Sequence, residues 1–128
     1  MSELRMPVWQ FVRLMVQVEE SMKAIRGRRK PPALQDLYDA WDDTWLELDQ
    51  RLTDLGKNDP DAFAELMMLQ DVVLTDVTPR RMKTAAAEIR KALKTMRATL
   101  KTEKDRQAKE DLSFEIEELE DLLYDIED

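Results

Sequence analysis

Apolar side chains recur at alternating steps of three and four along most of this chain, and that spacing leaves little choice but helices packed side by side. Val8, Phe11, Met15, Val18, Met22 and Ile25 form one seam, and Leu34, Tyr38, Trp41, Trp45, Leu48, Leu52 and Leu55 a second. Met82, Ala86, Ile89, Leu93, Met96 and Leu100 form a third, and Leu112, Ile116, Leu119, Leu123 and Ile126 a fourth. Each seam is apolar on one side only, so each must be covered by a neighbour. Punctuation agrees, because four of the five prolines stand at helix starts and the two glycines, Gly27 and Gly56, stand just past helix ends. The spacing predicts helices over about 7–26, 33–55, 60–75 and 79–127 in a single domain spanning 1–128. The fold class is all-α, a bundle of four to five helices with coiled-coil-like heptad seams and a long C-terminal helix or helical hairpin.

Two boundaries carry a cap followed by proline, Asp59-Pro60 and Thr78-Pro79. The helix opened by Pro60 contains Phe63, Leu66, Met67, Met68, Leu69, Val72, Val73 and Leu74. With so little polar surface it is expected to be the most enclosed element. The connector Arg28-Arg29-Lys30-Pro31-Pro32 is basic and stiff, and reads as a solvated linker.

The last fifty residues separate their charge into two blocks. Arg80 to Lys109 holds eleven Lys and Arg against three acids, and Glu110 to Asp128 holds ten acids and no base. On the heptad of the basic half, Lys83, Arg90, Arg97 and Lys104 share one flank of the seam while Ala85, Ala92 and Thr99 occupy the other. Such flanking positions are where partner charges are met. Lys83, Arg90, Lys94, Arg97, Lys101 and Lys104 are therefore the candidate basic edge, and Glu115, Glu118, Glu120, Asp121 and Glu127 the candidate acidic surface. Between them lies the candidate hydrophobic seam of Ile89, Leu93, Met96, Leu100, Leu112, Ile116, Leu119, Leu123 and Ile126.

Whether the two halves join in one helix is decided in the polar span Lys101 to Asp111. No Gly, Pro or Asn supplies turn chemistry there, which favours one continuous helix with a stutter, on the order of 70 Å long. The alternative is a break, for which Thr102 and Asp105 resemble a capping box, with Asp111 or Ser113 as later caps. A continuous helix would seek its complement in another molecule, and a hairpin would find it within the chain.

Cysteine and histidine are both absent, which removes disulfides, thiolate or imidazole metal sites and Ser-His nucleophiles together. The pairs Glu19-Glu20 and Glu118 with Asp121 are similar, in fragments, to the motif by which all-helical nucleotide pyrophosphohydrolases hold Mg²⁺. Lys23 stands where the third acid belongs, and about a hundred residues separate the two pairs. The chain reads as non-enzymatic, with no cofactor and no metal.

No stretch approaches the roughly 18 apolar residues of a membrane span, so a soluble, cytoplasmic protein without membrane partners is expected. The function expected is protein–protein interaction or assembly, in which the charge-segregated C-terminal helix grips a partner or a second copy as a homodimer. A second reading is a small acidic inhibitor or immunity-type protein that occupies a basic, nucleic-acid-binding surface of its target. A third is sequence-independent nucleic-acid binding by the basic helix 80–109. No aromatic interleaves with those bases, and the net charge of −8 opposes it.

Overall fold

The computed structural model describes residues 3–25 and 31–127. Five helices and a two-stranded sheet follow in the order β1 (Glu3–Pro7), α1 (Val8–Lys23), α2 (Pro32–Asn58), α3 (Pro60–Leu69), β2 (Asp71–Thr75), α4 (Pro79–Thr102) and α5 (Arg106–Glu127). The all-α helical bundle expected from the spacing is present, with the small sheet added at one end.

The helix starts follow local chemistry. Asp59 accepts a hydrogen bond from the Ala62 N–H at 3.2 Å and Thr78 accepts one from the Arg81 N–H at 3.2 Å, with Pro60 and Pro79 opening the helices behind them. Pro32, not Ala33, opens α2. Pro7 does not open α1, because its ψ of 150° makes it the last residue of β1 and the N-cap. The end expected at Gly27 and the connector residues 28–30 lie outside the described residues. Gly56 does not end α2, which runs on to Asn58. Nothing demands a left-handed residue there, so the glycine is simply carried in the last helical turns.

The third helix begins at Pro60 as expected but is shorter. It stops at Leu69, and Val72-Val73-Leu74, expected inside it, form the middle of β2. Two adjacent β-branched residues favour the extended chain. Val72 and Leu74 then point into the core while Val73 points out. β1 and β2 pair antiparallel, Glu3 opposite Thr75 and Pro7 opposite Asp71. Asp76 turns the chain out of the sheet at φ 56°, a conformation that aspartate tolerates better than most residues.

Nor is α3 the most enclosed element. Leu66 is its only buried residue, and Met68 and Leu69 are 52% and 77% exposed. α1 takes the centre instead, with Val8, Trp9, Phe11, Leu14, Met15 and Val18 all buried between α2, α4 and the sheet. Phe11 meets Trp45 of α2 edge to face, with ring centroids 6.2 Å apart. Side chains so enclosed contribute about 1.5 to 3 kcal/mol each. On α4 the small residues Ala85, Ala86 and Ala92 are buried, which lets neighbouring helices approach its backbone, whereas Thr99 on the same flank is exposed.

The continuous C-terminal helix is corrected to a hairpin. α4 ends at Thr102, and three residues later α5 begins. The turn chemistry comes from two carboxylates. Glu103 leaves the helix with φ −70° and ψ 131°, and its Oε1 accepts the N–H groups of Lys104 and Asp105 at 3.2 and 3.1 Å. Asp105 then accepts the Ala108 N–H at 2.9 Å as the N-cap of α5. Thr102 is not the cap, since its hydroxyl donates back to the Thr99 carbonyl at 3.2 Å. No described helix is long and apolar enough to cross a membrane.

Candidate functional site

The hairpin brings the two charge blocks face to face. α4 and α5 lie antiparallel, and Arg97 reaches Glu120 at 2.8 Å while Arg90 pairs with Glu127 one heptad further along each helix. Glu115 meets Arg13 of α1 at 3.0 Å, and the Glu118 carbonyl accepts a hydrogen bond from the Gln10 side chain at 3.2 Å. Of the residues expected on the acidic surface, the carboxylates of Asp121 and Glu118 have no hydrogen bond or ion pair among the described residues, since Glu118 is held through its backbone carbonyl. Of the basic edge, Lys83, Lys94, Lys101 and Lys104 stay exposed without an ion pair among the described residues. Each solvent-exposed pair contributes about 0 to 1 kcal/mol.

The apolar residues between these charges are occupied as well. Ile89, Leu93, Met96, Ile116, Leu119 and Ile126 are buried, and Leu100, Leu112 and Leu123 pack against them half-buried. Leu122, outside the expected spacing, is buried too. The complement that a projecting helix would have sought in another molecule is supplied by the chain itself.

Four expected residues converge elsewhere. Lys83, Arg90, Ile126 and Glu127 line a groove of about 550 Å³ at the open end of the hairpin, with Met82, Ala86 and Pro79 completing it. Its floor is Met82, Ala86 and Ile126, and its rim carries the Arg90–Glu127 pair and the unpaired Lys83 ammonium. Such a groove can take apolar side chains while a cation at its rim holds a carboxylate.

A second surface is electrostatic. On α2, Asp39, Asp43 and the 54% exposed Leu46 follow one another on the outward face, with Asp42 and Asp49 on one flank. None of these four acids has a Lys or Arg nitrogen within 4 Å among the described residues. Their field is registered by Tyr38 beside them. Burial raises the Tyr38 phenol above its usual value, and the negative charges of Glu19, Asp42 and Asp39 raise it further. Asp36 differs, because the Arg81 side chain binds it with two hydrogen bonds at 3.0 and 3.2 Å and holds its carboxyl below the usual value, outweighing the opposing effect of burial.

One polar cluster escapes sequence reasoning. Glu88 is buried at 3% exposure and pairs with Lys91 at 2.9 Å, while its Oε1 has no hydrogen-bond partner. Lys91 also donates to the buried Ser21 hydroxyl at 3.3 Å, which Gln17 reaches from α1 at 3.3 Å. A signal was present, since Glu88 is the one acid between Arg80 and Leu100 and sits among alanines.

The carboxylates reminiscent of a Mg²⁺ motif stay apart. Glu19 lies toward Tyr38 of α2, whereas Glu118 sits against Gln10, nine residues and about 13 Å back along α1. Among the described residues no group of three acids stands close enough to hold a metal ion. The chain matches no protein-family model, and searches of characterised proteins and of solved structures find no relative.

Proposed function

We propose that this chain is a non-enzymatic protein-interaction module that receives a partner helix at the open end of its α4–α5 hairpin. One observation carries the reading, the convergence of an apolar floor and a free cation in the groove of about 550 Å³ lined by Met82, Lys83, Ala86 and Ile126. An amphipathic helix can lay its apolar face into such a groove, anchored by a few side chains at helical spacing. Methionine at the floor suits it to a partner helix because its flexible thioether adapts to different shapes. The partner called for is amphipathic, with apolar residues at helical spacing and an acid placed to meet Lys83.

Affinity capture from a lysate of the source cells, comparing the wild type with Met82→Lys and Lys83→Glu, tests this. The partner is expected to be retained by the wild type and lost from both variants, with circular dichroism showing both still helical. Retention indifferent to both substitutions would refute the groove as the contact.

The acidic face of α2 supports a second reading, an acidic module that covers a basic protein surface. The four carboxylates around Leu46, none in an ion pair among the described residues, favour it. On that reading capture survives Met82→Lys, fails with Asp39→Lys and Asp43→Lys together, and weakens steeply as salt rises, because exposed charges are screened over about 10 Å at 0.1 M.

A further inference from the structure

A two-stranded sheet has two outer edges, and here they differ in kind. The Val8 N–H donates to the Gln70 carbonyl at 3.0 Å, which makes that pair a bonded one. Bonded and non-bonded pairs alternate along an antiparallel ladder, so Met6 with Val72 and Leu4 with Leu74 exchange the remaining ladder bonds. Glu3, Arg5 and Pro7 consequently turn their backbone groups away from β2, and Asp71, Val73 and Thr75 turn theirs away from β1. Among the described residues no backbone group outside the sheet pairs with those of Asp71, Val73 or Thr75.

The β1 edge is protected, because Pro7 has no N–H and Glu3 and Arg5 place charge along it. Proline and charge are the devices by which natural sheets discourage edge pairing. The β2 edge has neither at its centre, where Val73 is 42% exposed. It opens onto a groove of about 230 Å³ whose far wall is Thr44, Glu47 and Arg51 of α2. A free edge flanked by open space accepts an extended chain, since its donors and acceptors repeat at strand spacing.

We propose that this edge is occupied by the β2 strand of a second copy of the chain, paired antiparallel about a two-fold axis at Val73. The product is a four-stranded sheet in the order β1-β2-β2-β1. The strand's own residues select this occupant. Around the axis Val73 faces its own counterpart, and Asp71 faces Thr75 in both halves, so no like charges meet and each carboxylate has a hydroxyl across from it. Three bonded pairs exchange six N–H···O=C hydrogen bonds. The same operation at the β1 edge sets Arg5 against Arg5 and leaves Pro7 without a bond to give. A two-stranded sheet is marginal alone, and doubling it supplies the strands it lacks. The contact is isologous, the form of most soluble dimers, and it uses neither the hairpin groove nor the outward acids of α2.

Light scattering on the full chain at micromolar concentration tests the proposal, with twice the protomer mass expected. Val73→Pro removes the outward N–H without touching a ladder bond and is expected to give a monomer with the helical circular dichroism intact. If that variant misfolds, Val73→Lys decides, because it keeps the N–H and sets two ammonium groups opposite each other. Met82→Lys is expected to leave the dimer unchanged, which separates this contact from the groove. A monomer at every concentration overturns the proposal, as does a dimer whose mass survives Val73→Lys.

Discussion

The turn between α4 and α5 can be tested directly, because it rests on two carboxylates and three backbone N–H groups. Asp105→Ala removes the N-cap of α5, which costs about 1 kcal/mol, in a range of roughly 0.5 to 2. For 128 residues the unfolding entropy near 60 °C is about 0.27 kcal/mol/K, at roughly 2.1 cal/mol/K per residue. The melting temperature should therefore fall by about 4 °C. Asp105→Asn keeps an acceptor in the same place and should melt within about 1 °C of the wild type. Geometry supplies a second readout, with spin labels at the exposed positions Lys94 and Asp121. Packed antiparallel helices lie 8 to 10 Å apart axis to axis, so the labels should sit within about 20 Å of one another. A continuous helix would separate these twenty-seven residues by about 40 Å. A distance near 40 Å, or an alanine variant that melts with the asparagine one, would refute the hairpin turn.

The Asp36–Arg81 pair should shape the acid limb of stability. Since Arg81 holds the Asp36 carboxyl below 3.8, the pair's contribution is fully present above about pH 4 and is lost as pH falls through the folded-state value. Arg81→Gln should flatten that limb in acid-unfolding curves, and an unchanged limb would show the pair to be inert. Gly56→Ala should stabilise by about 0.5 to 1 kcal/mol in urea unfolding, because the position is helical and an added methyl meets Phe63 at an ordinary 3.7 Å. Glu88→Met should leave stability unchanged or raise it by about 1 kcal/mol, since it replaces a buried carboxylate with one unpaired oxygen and frees Lys91 into water. A loss above about 2 kcal/mol would mean that Glu88 has a partner in solution. Arg97→Glu should cost up to about 1 kcal/mol, and adding Glu120→Arg should recover most of it; a double variant no better than the single one would show that the two side chains do not interact.

What the sequence made legible was the part written in apolar spacing and caps. Asp59 and Thr78 cap as their positions announced, and most of the apolar seam residues of α2 and α4 are buried. The sheet stayed hidden because Val73 breaks the polar–apolar alternation of Asp71 to Thr75, so that the segment reads on from the apolar residues of the helix before it. Only the adjacent valines at 72 and 73 distinguish it. The hairpin turn stayed ambiguous because carboxylates replaced the expected Gly, Pro or Asn, and Glu103 looks like an ordinary helical residue until its own backbone is seen to bend toward it. The candidate charges were found individually, but their assignment depended on that one turn. Once the chain folds back, most acids beside the seam of α5 are used internally, and the free acids on α2 and the free edge of β2 come forward instead.

The charge blocks alone do not fix how α5 docks on α4. An apolar seam that repeats every seven residues packs nearly as well after a seven-residue slip, so burial alone does not fix the register of α5 on α4. The ion pairs do not distinguish the registers by number, because Lys83, Arg90 and Arg97 repeat at the same interval as Glu120 and Glu127. A seven-residue slip that leaves Arg97 opposite Ser113 sets Arg90 against Glu120 and Lys83 against Glu127. The three-residue turn at Glu103 to Asp105 decides the register, since it leaves no slack for a shift of about 10 Å along the helix. Cap and turn thus set a single docking of α5, and that docking fixes the open end of the hairpin where the groove between Met82 and Ile126 is formed.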